Sequence, residues 1–130
     1  MGKMAVRVLV VDDQAPFRRA ARRVLAATPG FELVGEAGSG EQAIALAAAL
    51  APDLVLMDVF LPGLNGIEAT RRIVEARPET VAVLVSSYRE DELPTGAGSC
   101  GALTYVHKAN FGPEILTALW ESSPGERDRA

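Results

Sequence analysis

Apolar and polar positions along this chain alternate between two rhythms. Residues 5–11 (AVRVLVV) form a β-branched apolar run that ends at Asp12-Asp13. A short apolar run bounded by turn signals predicts a strand buried on both faces. The period then lengthens to that of a helix. Phe17, Ala20, Ala21 and Val24 recur at helical spacing, Leu25 widens the stripe, and Arg18, Arg19, Arg22 and Arg23 fall on the opposite face. Pro16 sits in the first turn, where its missing N–H costs nothing, and Thr28-Pro29-Gly30 stops the helix. Residues 31–36 alternate as an edge strand does. Ser39-Gly40-Glu41-Gln42 has capping-box spacing and opens an Ala/Leu-rich helix to Ala51, which Pro52 closes. The run LVLMD at 54–58 predicts a third strand. A tight Pro/Gly/Asn loop follows, and Ile67, Thr70, Ile73 and Val74 mark a helix from Asn65 that stops before Pro78. Residues 81–85 predict a fourth strand ending in Ser86-Ser87, and 103–107 a fifth ending in Lys108. Gly112-Pro113 opens a last helix over 114–121.

Strands alternating with helical segments build βαβ units and a parallel sheet. Right-handed crossovers on both faces make it an α/β, doubly wound sheet. At 130 residues this is one domain, read as 5–121, with residues 122–130 (SSPGERDRA) a polar tail or the start of an interdomain linker. One link in the pattern is weak. Residues 89–101 (REDELPTGAGSCG) have the place of a helix, but Pro94 and three glycines oppose one and Leu93 is the only large apolar anchor. A shortened or partly unwound segment is expected there.

Composition then narrows the chemistry. A net charge of −4 argues against nucleic-acid binding by this segment's own surface. No apolar run reaches membrane-spanning length and no signal peptide is present, so a cytoplasmic location is expected. The single cysteine, Cys100, excludes a disulfide framework and a Cys-based zinc site, and the single histidine, His107, further weakens a zinc reading. A dinucleotide or P-loop reading fails because DDQAPF, and no Gly-rich fingerprint, follows the first strand. A flavodoxin-like FMN carrier needs a phosphate cradle at the same place, where Asp12-Asp13 instead repels phosphate.

Four of the apolar strands end in residues able to do chemistry: Asp12/Asp13, Asp58, Ser86 and Lys108. Each has a plainer role available. Asp13 can cap a helix, Asp58 and Ser86 can start turns, and Lys108 can be a solvated charge. The carboxyl ends of a parallel sheet share one edge, however, so these residues converge in a single crevice. Close carboxylate pairs repel by up to about 4 kcal/mol at an effective dielectric near 20. Such a site recruits a divalent cation and a nearby ammonium. All-oxygen ligation selects a hard ion, Mg²⁺. A carboxylate beside Mg²⁺, a lysine and a hydroxyl is equipped to accept a phosphoryl group.

On these residues the chain resembles the receiver domain of two-component response regulators, the CheY-like (βα)5 fold. The resemblance runs from Val6 to about Glu121, and the strand order 2-1-3-4-5 is carried over from that family. It implies phosphorylation of Asp58 by a histidine kinase. The Mg²⁺ would be bound by Asp13 directly, Asp12 largely through water, Asp58, and the backbone carbonyl of Phe60. Lys108 would pair with phosphoryl oxygens, Ser86 would reach toward them on activation, and Tyr105 would be the aromatic that follows. Phe60 and Tyr88, two residues beyond Asp58 and Ser86, would flank the path of attacking water and modulate the rate of self-dephosphorylation. The stretches PGLNGIEATRRI and VDDQAPFR resemble the NarL/FixJ-type branch, in which a receiver usually precedes a helix-turn-helix DNA-binding domain. The family docks its kinase partly on the first helix. Its output face is the fourth helix, fifth strand and fifth helix, here the segment beside Tyr105 and the last helix, which carries Trp120, and that face also implies homodimer formation.

The chain departs from the family pattern at three places. Ser86 stands where Thr is commoner, Ala109 follows Lys108 where many members have Pro, and His107 occupies a usually apolar position. His107 is read as a partly exposed strand-end side chain. Two alternatives remain beside regulation of transcription through a domain absent from this chain. One is a stand-alone receiver acting in a phosphorelay or as an adaptor. The other is a Mg²⁺-dependent phosphohydrolase passing through an aspartyl-phosphate, which needs a general acid where Phe60 stands.

Overall fold

The computed structural model describes residues 5–125. Five strands, β1 (Val6–Val11), β2 (Phe31–Ala37), β3 (Leu54–Asp58), β4 (Val81–Ser86) and β5 (Thr104–His107), form one parallel sheet in the order β2-β1-β3-β4-β5. Four α-helices accompany them: α1 (Ala15–Ala26), α2 (Gly40–Leu50), α3 (Gly66–Ala76) and α4 (Pro113–Glu121). The expected doubly wound sheet is present, and its order reverses between β1 and β3, which places a crevice beyond their carboxyl ends.

The near-continuous apolar strands follow from burial on both faces. In β1, Leu9 and Val11 join Val55, Met57 and Leu84 against α2 and α3, through Ala43, Ala47, Ile67 and Ile73. Val6, Val8 and Val10 point the other way, with Leu54, Leu56, Val83 and Val85, against Ala21 and Leu25 of α1 and Leu116 and Trp120 of α4. Trp120 is a core residue of α4, 5% exposed. Ala20, read into the α1 stripe, is exposed, and the stripe is carried by Ala21 and Leu25.

Local chemistry sets the helix ends. Ser39 Oγ accepts the Gln42 N–H at 3.1 Å, as the capping box predicts. The return bond differs, because Gln42 Oε1 accepts from Gly38 at 2.8 Å. The α2 helix ends one residue earlier than expected, since Ala51 takes a left-handed conformation with φ 47°. Arg7, from the far edge of β1, caps that end by donating to Leu50 O at 2.6 Å and Ala51 O at 3.0 Å.

Between β4 and β5 the chain forms two single 3₁₀ turns, Glu90–Glu92 and Ala97–Ser99, in place of an α-helix. The composition explains this. Pro94 removes a donor, Gly96 and Gly101 both sit at φ +99°, and Leu93 is only half-buried. The face expected from a fourth helix, fifth strand and fifth helix is thus built from these turns, β5 and α4. Of the polar tail, Ser123 packs back, its Oγ donating to Trp120 O at 2.7 Å, and residues 126–130 lie outside the described residues. Among the described residues no helix is long and apolar enough to cross a membrane.

Candidate functional site

The carboxyl edge of the sheet gathers the charged residues. The β1 strand runs directly into Asp12, whose N–H donates to Ala37 O at 3.0 Å and so extends the ladder by one residue. Asp58 is the last residue of β3 and pairs in register with Val85, so Ser86 lies one step further along β4 and Lys108 immediately beyond β5. The loop after Asp58 is pinned closely. Val59 N–H donates to Val85 O at 3.1 Å, and Gly66 N–H returns to Val59 O at 3.0 Å. Asn65 Oδ1 caps α3 by accepting from Glu68 at 2.9 Å. Gly66 is needed at this crossing, because a Cβ there would lie 1.9 Å from the backbone oxygen of Asp58.

Carboxylate oxygens of Asp12, Asp13 and Asp58 lie within 4.8 Å of one another. Asp12 is fully buried, Asp58 is 5% exposed, and Asp13 faces solvent. One ammonium reaches the two buried acids of this group: Lys108 Nζ is 2.5 Å from Asp12 Oδ2 and 3.7 Å from Asp58 Oδ1. Oδ2 of Asp12 is buried against this ammonium, with no other hydrogen-bond partner among the described residues. Burial pushes the Asp58 carboxyl up from 3.8 to about 6; the Asp12 charge adds to this and Asp13 adds less, while Lys108 and the Phe60 N–H oppose it.

The residues present fit a hard divalent ion. Three carboxylates offer oxygen atoms within 4.8 Å of one another, and the one ammonium among their ion pairs, Lys108, reaches only Asp12 and Asp58. Among the described residues no sulfur or imidazole joins the cluster.

The other sequence-predicted residues lie around this centre. Ser86 is buried, and its Oγ accepts the Tyr88 N–H at 3.0 Å in a tight local turn. Tyr105 donates from its hydroxyl to Ser86 O at 3.2 Å and also to Tyr88 O, which ties β5 to the loop after β4. Burial raises the Tyr105 phenol above its ordinary value, with Glu90 and Glu92 adding to it. The Phe60 and Tyr88 rings pack at 4.7 Å between centroids and remain 41% and 51% exposed, so they form an aromatic rim on the crevice.

Several site contacts carry no signal in the hydrophobic pattern. Phe17 reads as a core residue of α1, yet its ring lies 4.8 Å beneath Lys108 Nζ. Arg18 reads as a solvated face, yet its guanidinium donates to Asp12 O at 2.7 Å and pairs with Glu36 at 3.4 Å. Arg22 holds the same Glu36 through two bonds of 2.9 and 3.0 Å. Of the four arginines of α1, Arg19 and Arg23 are the exposed pair with no partner among these contacts. His107 also does more than end a strand, since its Nδ1 accepts the Ala109 N–H at 3.0 Å.

Comparison with known proteins agrees with this geometry. The chain is 39% identical over 122 residues to the response regulator GacA of Pseudomonas aeruginosa, covering 94% of this chain and 57% of that protein. It is 35% identical over 121 residues to the transcriptional regulatory protein LiaR of Bacillus subtilis, covering 93% of this chain and 57% of that one. The chain therefore spans rather more than half the length of these curated relatives. Among solved structures, the signal receiver domain of the response regulator NarL from Mycobacterium tuberculosis superposes with a TM-score of 0.83 at 30% identity, over 91% of this chain and 95% of that one. These relatives lie in the NarL/FixJ-type branch to which the sequence motifs pointed. The family model described as the response regulator receiver domain matches residues 8–120, and the chain belongs to that family of two-component signalling domains.

Proposed function

We propose that this receiver takes a phosphoryl group on Asp58 from a phosphohistidine of a sensor histidine kinase, in a Mg²⁺-dependent step, and later releases it as inorganic phosphate. An Asp58 carboxylate oxygen attacks phosphorus, the P–N bond breaks, and its electron pair returns to the imidazole, which then takes up a proton. In release, water attacks phosphorus, the P–O bond to Asp58 breaks, and the carboxylate is regenerated. The chain catalyses only these two reactions of its own side chain. The observation that carries the reading is one ammonium bridging two buried acids, Lys108 between Asp12 and Asp58, at the carboxyl edge of the sheet.

Asp12, Asp13, Asp58 and the Phe60 carbonyl would hold Mg²⁺, which when bound supplies positive charge against the phosphoryl oxygens. Lys108 lies 3.7 Å from the accepting carboxylate, within reach of an oxygen added to it. Ser86 leaves its turn to Tyr88 to donate to another oxygen, and Tyr105, bonded to that same loop, follows. Phe60 and Tyr88 narrow the approach of water and slow release.

Phosphorylation then biases the face formed by the 3₁₀ turns, β5 and α4, through which two copies pair. Because the curated relatives are nearly twice as long and LiaR is a transcriptional regulator, the output proposed is control of a DNA-binding domain outside this chain. A stand-alone receiver in a phosphorelay is the second reading. A helix-turn-helix domain encoded in frame after Ala130 would decide for the first. The core reading is tested by incubating the protein with acetyl phosphate and Mg²⁺ and measuring intact mass. One labile adduct is expected, lost in EDTA and in Asp58→Asn. An adduct persisting in Asp58→Asn overturns it.

A further inference from the structure

We propose that His107 is a positioning residue for Lys108: its Nδ1 accepts the Ala109 N–H and thereby holds the turn from which the ammonium reaches Asp58. The inference rests on the proposed function, in which Lys108 meets the phosphoryl oxygens.

Lys108 is the first residue of a single 3₁₀ turn, Lys108–Asn110, that begins where β5 ends. The first N–H groups of any helical turn have no acceptor within it. A turn this short also has no later residues whose packing would hold its start. Here the imidazole of His107 fills that need at 3.0 Å. The ring accepts through Nδ1.

The other end of the turn is secured differently. Phe111 N–H donates to Lys108 O at 3.2 Å, and the Phe111 ring packs on Phe17 at 5.9 Å. That same Phe17 ring lies under Lys108 Nζ. At the start of the turn the Ala109 N–H is met by one side chain, while its end is anchored in the core.

The position of this backbone matters because of where the ammonium sits. Lys108 Nζ is close to Asp12 at 2.5 Å and farther from Asp58 at 3.7 Å. A flexible four-carbon stem does not choose between two acids by itself. Its reach is set from the backbone of the turn, which the His107–Ala109 bond holds at its start. His107 also pairs in register with Ser86 across β4 and β5, so the capping ring stands beside the strand that carries the second phosphoryl-binding group. An apolar side chain at 107 would leave the Ala109 N–H without this acceptor.

The test uses His107→Phe, which keeps a ring but no acceptor, His107→Leu as a second acceptor-free variant, and His107→Asn, whose Oδ1 can cap the turn. Each is made alone and with Lys108→Ala. The initial rate of adduct formation from acetyl phosphate is followed by intact mass at saturating Mg²⁺. His107→Phe and His107→Leu are expected to slow it about five- to tenfold, and His107→Asn to stay within about twofold of wild type. With Lys108→Ala the acceptor-free variants should have no further effect, which a general loss of structure would not reproduce. An unchanged rate in a folded acceptor-free variant overturns the inference. So does the same slowing whether or not Lys108 is present. Wild-type protein that forms no adduct overturns the phosphoacceptor reading and this inference with it, whereas a wild-type adduct indifferent to His107 overturns only the positioning role.

Discussion

Replacing Asp58 by Asn should stabilise the metal-free protein, although it removes the residue on which the proposed chemistry depends. The carboxyl of Asp58 is raised from 3.8 to about 6 in the folded chain, first by burial and then by the Asp12 charge. Between those two values the folded chain keeps a proton that the unfolded chain has released. Folding stability therefore falls as pH rises from about 4 to about 6, and the full cost is present above pH 6. At roughly 1.4 kcal/mol per unit, the shift amounts to about 3 kcal/mol of stability withheld at neutral pH. Asparagine is neutral and of the same shape, so Asp58→Asn in EDTA at pH 7.5 should gain about 2–3 kcal/mol by urea unfolding. The gain should shrink as pH falls from 6 to 4 and vanish below the unfolded value of 3.8, where the wild-type carboxyl is protonated in both states. Millimolar Mg²⁺ should narrow the gap, because ion binding stabilises the wild type more than a variant with one carboxylate fewer. A variant that is no more stable than wild type at pH 7.5, or a gain of equal size at pH 4, would refute the reasoning.

Three further outcomes are expected. Gly66→Ala should cost more than about 3 kcal/mol in urea unfolding and depress phosphorylation, since its Cβ would lie 1.9 Å from the Asp58 carbonyl oxygen; a folded variant with unchanged stability contradicts the close approach. Replacing Phe60 and Tyr88 together by small polar residues should speed loss of the phosphoryl group, because their packed rings rim the crevice at 4.7 Å; an unchanged or slower rate rules out the steric account. Ser86→Ala and Tyr105→Ala should be non-additive in a cycle on partner affinity, because the Tyr105 hydroxyl bonds the carbonyls on either side of the turn that Ser86 closes; strict additivity argues against coupling.

The sheet was legible because both of its faces are buried. Strands such as LVLMD read as unbroken apolar runs, and Pro and Gly mark nearly every connection. The charged centre was legible for a related reason, since each key residue is the polar stop at the end of an apolar run. The weakness of 89–101 was also readable, as Pro94 and the glycines have no packing to offset them. What escaped were contacts between elements distant in sequence. Nothing in the helical rhythm of α1 tells that Phe17 supports an ammonium 91 residues later, at 4.8 Å, or that Glu36 on β2 holds both Arg18 and Arg22. His107 escaped because its function depends on a backbone N–H, which every residue has and no pattern records.

The central claim is that Asp58, and neither of its acidic neighbours, bears the phosphoryl group. Acyl phosphates are reduced by borohydride to the alcohol, so an aspartyl-phosphate becomes homoserine and can be located by peptide mass mapping. After phosphorylation with acetyl phosphate and Mg²⁺, homoserine should be found at position 58 and not at 12 or 13. Homoserine at Asp12 or Asp13, or a stable adduct on another residue type, would contradict the account.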